Sequence, residues 1–464
     1  MMRSWGGKVG IIAALAVVAA QAQTADQIWT AGYVVTMDAQ RRVIADGAVA
    51  VSGKKIIAVG PRADIVSRFP GAARLDRPQA ILMPGLINTH AHAAMTLLRG
   101  IADDRTLQDW LEHYIFPAEK KNVTPEFVLD GTRLACLEML LSGATTFTDM
   151  YYFEDRVAQA AKEAGMRAVV GDTIISFPSP DAKSPADALA WTENFIRQYR
   201  GDPLIVPAVA VHSPYLDSPE TLKQARALAD KYGAPLLIHV SETQRENEDS
   251  MKAHGMSSAQ WLDSLGVLGP RTVAAHGVWL SDEDIGIFRR RGVGVAHCPA
   301  SNMKLASGVA PVLRMLAAGL NVGLGTDGPA GSENDMDMMR EMYLAPVLQK
   351  VSSRNPRSLP ARQAVEMATL GGARVLGMGA SIGSLEADKS ADMITLRLDR
   401  PHAVPMYDVY SQIVYALQAS DVEDVMVNGR TLIRDGASLT LQAGRIMDTA
   451  REYQKRIAAS VEQR

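Results

Sequence analysis

Short apolar runs alternate with longer amphipathic segments from Pro84 to about residue 375. The longer segments repeat their apolar residues every three or four positions, which indicates helices, and the short runs indicate buried strands. Eight strand–helix units in succession predict a parallel sheet that closes into a (β/α)₈ TIM barrel, an α/β fold, over residues 84–380. An open doubly wound sheet is the alternative, but the first strand is not followed by a glycine-rich phosphate-binding motif. The eight runs are GLINTHAH, GATTFTDM, RAVVGDTI, LIVPAVAVHSP, PLLIHVSET, TVAAHGV, VGVAHCPAS and NVGLGTDG.

Helix start and stop signals support these boundaries. Ser218 precedes a proline at the first helical position, and Gly233 follows the last apolar repeat of the same helix. Ser281 and Asp284 have the spacing of a capping box.

Both flanks of the barrel have a β texture without long helical periodicity. Residues 23–83 contain QIWTAGYVVTMD and GAVAVSGKKIIAVG, and residues 381–445 contain SADMITLRLD and VEDVMVNGRTLIRDG. Neither piece is long enough to form a stable domain alone. We therefore predict one small β-sandwich domain built from both chain ends, followed by a C-terminal helix over residues 446–464.

The amino terminus has the pattern of a secretory signal peptide over residues 1–22. Arg3 and Lys8 precede or border the apolar run VGIIAALAVVAA, and Ala20 and Ala22 form a small-x-small cleavage pattern. The run is shorter than the roughly 20 residues that a membrane-spanning helix needs, although an uncleaved anchor is the alternative. The sequence thus predicts a periplasmic or secreted protein with no membrane span after cleavage.

Composition narrows the class of partner. Hydrophobic residues make up 47% of the chain and charged residues 21%, as in ordinary globular proteins. A formal net charge of −3, without a basic cluster, argues against a nucleic-acid partner. The two cysteines, Cys136 and Cys298, are too few for a cysteine-rich zinc site. We expect a small-molecule substrate, and a homo-oligomer is compatible with the sequence.

Histidines concentrate where the predicted barrel strands end, which is where barrel enzymes place their active sites. His90 and His92 alone would be weak support, because a single His-x-His pair often lies in an ordinary turn. Six of the nine histidines, however, occupy strand ends, together with three carboxylates; the set is His90, His92, His212, His239, His276 and His297 with Asp149, Glu242 and Asp327.

This grouping predicts one catalytic metal per chain. Imidazole nitrogen and carboxylate oxygen suit Zn²⁺, with Fe²⁺ as the alternative, and a catalytic site keeps one position for water. The predicted ligands are His90, His92, His239 and Asp327. A lysine that could bridge a second metal is missing at the end of the fourth strand, VPAVAVHSP.

Five motifs in order resemble the amidohydrolase superfamily. They are His-x-His, HVSE, AHGV, HCPASNMKLASG and GTDG, at the ends of strands one, five, six, seven and eight. Within it the chain is similar to the mononuclear deaminases of S-adenosylhomocysteine, 5′-methylthioadenosine and guanine and to the triazine hydrolases. The resemblance implies that Asp327 both binds the metal and accepts a proton from the attacking water. It further implies that His276 orients the hydroxide and that Glu242 carries the proton to a ring nitrogen and then to the leaving amine.

The same resemblance implies a substrate-binding set. His212 and Glu242 would contact the heterocycle, and Glu119 would bind ribose hydroxyls, although a solvated surface glutamate would look the same in the sequence. His297 and Cys298 are expected to shape the pocket wall, and Met303 and Leu305 to line or support it.

The sequence therefore predicts a metal-dependent hydrolytic deaminase of an amino-purine nucleoside of the adenosine, 5′-methylthioadenosine or S-adenosylhomocysteine type. Two departures from the family leave alternatives open. The stretch GDTIISFPSPDAK lacks an arginine that some nucleoside deaminases carry after the third strand, and export is unusual for these relatives. The alternatives are a deaminase of a free base or another heterocycle, a hydrolase that removes halide or an amide, and an exported metal-keeping binding protein without turnover.

Overall fold

The computed structural model describes residues 1–2 and 24–461. The predicted signal peptide, apart from its first two residues, lies outside the described residues. The chain continues with three strands, a short helix and a fourth strand: β1 (Gln27–Val35), β2 (Val43–Ser52), β3 (Lys55–Pro61), α1 (Arg62–Arg68) and β4 (Ala73–Pro84).

Residues 86–324 contribute the barrel strands. They are β5 (Leu86–Ala91), β6 (Ala144–Tyr151), β7 (Arg167–Ile174), β8 (Ile205–Pro207), β9 (Val209–Val211), β10 (Leu236–Val240), β11 (Thr272–His276), β12 (Gly294–His297) and β13 (Val322–Leu324). Parallel pairing runs β6-β5-β13-β12-β11-β10-β9-β7, and a β6–β7 pairing closes the ring. The predicted eight-unit barrel is thus confirmed. Its fourth strand is split into β8 and β9 after Pro207, which has no backbone N–H to donate.

Four further strands complete a second sheet: β14 (Met393–Arg397), β15 (Val422–Val427), β16 (Arg430–Arg434) and β17 (Ala437–Ser438). β4 is the junction, because it pairs in parallel with β1 on one side and antiparallel with β14 on the other. The order is β17-β16-β15-β14-β4-β1-β2-β3. The predicted β domain from both chain ends is therefore present, with its eight strands in one hydrogen-bonded sheet.

The remaining helices surround the barrel or cover its ends. They are α2 (Leu107–Trp110), α3 (Phe116–Asn122), α4 (Pro125–Leu141), α5 (Glu154–Ala164), α6 (Pro185–Tyr199), α7 (Pro219–Tyr232), α8 (Gln244–His254), α9 (Ser258–Ser264), α10 (Asp282–Arg291), α11 (Pro299–Lys304), α12 (Val312–Ala317), α13 (Met338–Ser353), α14 (Ala361–Glu366), α15 (Gly372–Val375), α16 (Val409–Tyr415) and α17 (Ala443–Val461). Short 3₁₀ turns occupy Ala93–Leu98, Pro401–Ala403 and Ala419–Asp421, and π-helical turns occupy Leu111–Ile115 and Met367–Gly371.

The structure confirms the predicted helix caps. The Ser218 hydroxyl accepts the N–H of Thr221 at the start of α7, and Gly233 ends that helix with φ +62°. Ser281 and Asp284 form a reciprocal capping box on α10. Helix α17 begins at Ala443, three residues before the predicted start, and packs on α4 through the rings of Phe127 and Tyr453. Within the described part of the chain, no helix has the length and apolar character needed to cross a bilayer.

Candidate active site

The four predicted metal ligands converge at the carboxyl end of the barrel. His90 lies in β5, with His92 just beyond it; His239 lies in β10, and Asp327 follows β13. Oδ1 of Asp327 is 3.4 Å from Nε2 of His90 and 3.3 Å from Nε2 of His92. Nε2 of His239 is 3.4 Å from Nε2 of His92. Ligand atoms of a tetrahedral zinc site, with Zn–N near 2.0–2.1 Å, lie about 3.4 Å apart, so these spacings match such a site.

Hydrogen bonds aim the imidazole lone pairs at this point. His92 donates its Nδ1–H to the carbonyl oxygen of Met150 at 2.6 Å, and His239 donates its Nδ1–H to the carbonyl oxygen of His212 at 2.7 Å. In the neutral form of each ring, Nε2 is then left with a lone pair facing the other ligands. Nε2 of His90 is buried and has no hydrogen-bond partner among the described residues. Converging lone pairs repel one another unless a cation lies between them, so the donor set fits one divalent metal.

Burial and the Asp327 carboxylate determine the pKa values of the histidines in this cluster. Burial lowers the pKa of His90 to about 4 although Asp327 opposes it, and burial also holds the pKa of His239 well below its usual range. For His92 burial has the same sign, but the Asp327 carboxylate outweighs it and raises the pKa to about 9. A divalent cation would compete with that proton for the same lone pair.

Two of the site residues have an unusual backbone conformation. His276 has φ +71° and Asp327 has φ +67°, in the left-handed region that side chains with a Cβ rarely occupy. His276 is the last residue of β11, and its ligand atom lies within 4.8 Å of those of His90 and His239. Strain of this kind costs on the order of 1–3 kcal/mol per residue and concentrates at functional sites. The surrounding contacts must therefore hold both residues in place.

Glu242 lies on the loop after β10 and faces the metal ligands. Glu246 holds this loop, because its carboxylate accepts the N–H groups of Ser241 and Glu242 at 2.7 and 2.8 Å. Oε2 of Glu242 is 3.8 Å from Nε2 of His276. Burial raises the pKa of Glu242 well above its usual range, with further contributions from the charges of Asp327 and Glu246. The raised pKa favours the protonated form of this carboxyl group, which can donate a proton.

Three of the ligands, His92, His239 and Asp327, line a cavity at the carboxyl end of the barrel. Its wall opposite the metal ligands is a covering segment, residues 107–122, in which α2, the π-helical turn Leu111–Ile115 and α3 follow one another. Trp110 and Phe116 line the cavity from this segment. Nε1 of Trp110 donates to the carbonyl oxygen of Ala330 at 2.8 Å, which ties the segment to the loop after β13. The cavity therefore has aromatic side chains on the covering segment and the predicted metal ligands on the barrel.

Glu119 and His212, the predicted substrate-binding residues, both line this cavity. Glu119 is 4% exposed, so it is not a solvated surface glutamate. Its Oε1 accepts the hydroxyl of Tyr151 at 2.7 Å. Burial raises the pKa of Glu119 to about 7, although the Tyr151 hydroxyl and the charge of His92 oppose it. Burial lowers the pKa of His212 to about 3, so this ring is neutral.

Comparison with known sequences gives the family. Residues 81–432 match the profile of the amidohydrolase family. The chain belongs to the amidohydrolase family. Residues 47–72 also match the profile of a bacterial imidazolonepropionase-like composite domain.

Several curated relatives of this amidohydrolase are named as nucleoside deaminases. A 5-methylthioadenosine/S-adenosylhomocysteine deaminase from Thermodesulfovibrio yellowstonii is 44% identical over 93% of this chain and 98% of the relative. A 5′-deoxyadenosine deaminase from Methanothermobacter thermautotrophicus is 45% identical over 81% of this chain and 87% of the relative. The crystal structure of an adenosine deaminase from Xanthomonas campestris with bound zinc superposes with a TM-score of 0.92 at 40% identity, covering 94% and 99% of the two chains.

Some residues of the amidohydrolase site differ from the sequence expectations. His297 and Cys298 are completely buried behind the cavity and do not line it. Met303 is 38% exposed and Leu305 is buried, and neither lines the cavity. Asp149, placed on the rim, accepts the N–H of Ala93 and so fixes the turn after His92.

Three residues in contact with the site were missed. The Tyr151 hydroxyl holds Glu119, the Ser301 hydroxyl donates to Oδ2 of Asp327 at 2.6 Å, and Oδ1 of Asn302 accepts from Nδ1 of His276 at 3.0 Å. Ser301 and Asn302 belong to the HCPASN motif, so the motif itself was the available signal. Histidine spacing drew attention to its first residue instead.

Proposed function

We propose that this protein is a metal-dependent hydrolytic deaminase that converts an adenosine-type nucleoside to its oxo product. The reaction replaces the exocyclic C–NH₂ by C=O with consumption of one water and release of ammonia. Glu242 carries the proposal, because its buried carboxyl, whose pKa burial raises well above the usual range, lies 3.8 Å from Nε2 of His276 and lines the same cavity as the metal ligands. A site that only binds its ligand has no need of such a proton donor.

His90, His92, His239 and Asp327 would hold one metal, and zinc suits their nitrogen and oxygen donors, with Fe²⁺ as the alternative. When bound, the metal lowers the pKa of water toward about 7 and so supplies hydroxide at neutral pH. The zinc present in the Xanthomonas campestris deaminase structure supports the choice of zinc. His90 and His239 are neutral and ready to act as ligands without first losing a proton.

Proton movement is assigned to three side chains. The ionised Asp327 accepts a proton from the attacking water, because its neighbours His90 and His92 keep its pKa well below the usual range against the effect of burial. His276 orients the attacking oxygen through Nε2. Glu242 donates a proton to a ring nitrogen next to the reacting carbon. The proton that Asp327 took from the water then passes through Glu242 to the leaving amine, and the remaining hydroxyl proton returns to Glu242 as C=O forms.

The substrate is held at the far side of the cavity. Glu119, in the covering segment, accepts hydrogen bonds from ribose hydroxyls, and the Tyr151 hydroxyl fixes the orientation of its carboxylate. His212 flanks the heterocycle from the end of the fourth strand. The names of the relatives from Thermodesulfovibrio and Methanothermobacter support substrates with modified 5′ positions.

We further propose that the enzyme acts outside the cytoplasm. The signal-peptide pattern of residues 1–22 carries this proposal. An exported enzyme meets nucleosides that have left the cell or come from other cells, so salvage of such molecules is the role we assign.

The direct experiment measures ammonia release by the purified mature protein from adenosine, 5′-methylthioadenosine, S-adenosylhomocysteine, adenine and guanine. Release from the nucleosides, with the corresponding inosine-type products, supports the proposal. Release from the free bases alone, or from none of the five, contradicts it.

A further inference from the structure

The single helical turn after β12 contacts both strained residues of the active site. Helix α11 carries Ser301 and Asn302 at adjacent positions, and both side chains are completely buried. Ser301 Oγ donates to Oδ2 of Asp327 at 2.6 Å. Oδ1 of Asn302 lies 3.0 Å from Nδ1 of His276. Two consecutive residues thus hold Asp327 and His276, the two side chains that act on the attacking water in the proposed reaction.

The turn itself is anchored at both ends. The buried Glu341, on α13, accepts the N–H of Ala300 through Oε2 at 3.2 Å. At the other end, the carbonyl oxygen of Asn302 accepts the N–H of Ser307 at 2.9 Å. A turn tied to a long helix on one side and to the next loop on the other can act as a rigid support for its side chains.

Ser301 determines how Asp327 uses its two oxygens. Oδ1 of Asp327 faces His90 and His92, and Oδ2 is occupied by the Ser301 hydroxyl. Without that bond the carboxylate is free to rotate about its last torsion, which is a soft sp³–sp² torsion. The hydroxyl therefore directs Oδ1 at the metal ligands.

Asn302 determines which nitrogen of His276 carries the proton. With the amide oxygen facing Nδ1, the imidazole must donate Nδ1–H, so that Nε2 keeps its lone pair on the side of Glu242. The opposite tautomer would leave two lone pairs facing each other. The hydrogen bond also holds a ring whose backbone is strained.

We propose that Ser301 and Asn302 are positioning residues with separate tasks: Ser301 orients Asp327 for metal binding, and Asn302 fixes the tautomer of His276 for the chemical step. The task of Asn302 rests on the proposed deaminase function, whereas that of Ser301 concerns metal binding alone. Changes to the partners that hold metal ligands typically weaken metal affinity or activity by about 10–100-fold. Substitution of Ser301 should therefore lower zinc affinity, whereas substitution of Asn302 should lower kcat.

The first test measures zinc affinity by competition with a chelator, starting from metal-free protein. Ser301→Ala should weaken zinc binding about 10–100-fold, and Ser301→Thr, which keeps the hydroxyl, should restore most of it. Met303→Ala, on the exposed side of the same turn, is the matched control and should bind zinc like the wild type. Wild-type affinity in Ser301→Ala overturns the assignment, whatever the enzyme deaminates.

The second test measures steady-state kinetics of zinc-loaded protein with 5′-methylthioadenosine. Asn302→Leu is similar in size and cannot accept a hydrogen bond; kcat should fall about 10–100-fold while KM and zinc affinity change less than about twofold. Nitrogen-15 NMR of histidine-labelled metal-free protein should show the loss of one Nδ1-protonated neutral ring, a readout independent of turnover. If Asn302→Leu misfolds, Asn302→Gln, which displaces the amide by one methylene, serves instead. An unchanged kcat, or an equal loss of zinc, overturns the role of Asn302.

The two proposals fail separately. Protein that deaminates none of the nucleosides but loses zinc in Ser301→Ala disproves the deaminase function and keeps the Ser301 role. Wild-type protein that deaminates nucleosides, with unchanged zinc affinity in Ser301→Ala and unchanged kcat in Asn302→Leu, keeps the function and disproves the positioning roles.

Discussion

The Glu242 carboxyl lies 3.8 Å from Nε2 of His276, with both side chains almost completely buried. Burial raises the pKa of Glu242 well above its usual range, which favours a carboxyl group that can donate a proton. Nε2 of His276 lies beside it and can orient the attacking oxygen, so a proton donor and an orienting group stand next to each other at the proposed reacting centre.

Glu242→Gln should retain the metal and lose turnover. Glutamine keeps the size of the side chain but carries no transferable proton, and removal of a general acid typically costs about 10²–10⁴ in rate. Glu248→Gln, an exposed glutamate on the helix that follows, is the matched control. Ammonia release together with metal analysis decides the matter, and near wild-type turnover in Glu242→Gln is incompatible with the mechanism.

Each chain should bind about one equivalent of divalent metal. The four converging ligands and the missing fourth-strand lysine support a single site. His239→Ala removes one ligand and should abolish both metal content and activity. Elemental analysis of protein purified without chelator checks this, and two tightly held equivalents, with activity following the second, contradict it.

Glu119→Ala should separate nucleosides from free bases. A hydrogen bond to a charged group contributes about 1.5–3 kcal/mol, so kcat/KM for nucleosides should fall by roughly 10–150-fold. Adenine and guanine have no ribose and should be almost unaffected. Glu112→Ala, an exposed glutamate in the same covering segment, is the control. Equal losses for bases and nucleosides would remove the ribose contact from the mechanism.

Nucleoside binding should weaken on the acid side of neutrality. Burial raises the pKa of Glu119 to about 7, so the carboxylate that accepts two hydroxyls is present above that pH and becomes protonated below it. KM for 5′-methylthioadenosine should rise as pH falls through about 7, approaching about tenfold per pH unit well below it. In Glu119→Gln this dependence should disappear. A KM that is constant from pH 8 to pH 5.5 in the wild type speaks against the assignment.

Export should depend on residues 1–22. Full-length protein expressed in a Gram-negative host should appear in the periplasm with an amino terminus near residue 23, and a variant that starts at residue 23 should stay in the cytoplasm. Cell fractionation and amino-terminal sequencing measure both outcomes. A full-length cytoplasmic protein, or one that keeps the apolar run in the membrane, disproves cleavage and release.

The barrel was predictable because local signals agree with one another along it. Each buried run that ends in a polar residue became a strand with that residue at its carboxyl end, as His239 does in β10 and His276 in β11. The ends of α7 and the start of α10 could be predicted from Ser218, Gly233 and Ser281, because a helix cap involves only nearby backbone groups. Parallel strands then bring the metal ligands to one edge without any further assumption.

The parts that were missed depend on contacts between distant residues. Nothing local indicates that Trp110 will bond to Ala330 and close the cavity, 220 positions along the chain. The left-handed backbone of Asp327 likewise has no local cause, since aspartate can adopt ordinary conformations in most loops. The partners of Ser301 and Asn302 likewise lie far away in the sequence, so their position in the HCPASN motif was the available signal.

Strand β4 makes completion of the small sheet depend on both ends of the chain. It is made early, yet one of its two edges is satisfied only by β14, whose residues follow the whole barrel. Until then its apolar segment Ala80–Met83 has an open strand edge, the kind of surface that invites pairing with other chains. The nascent protein therefore cannot finish its small sheet before translation is nearly complete.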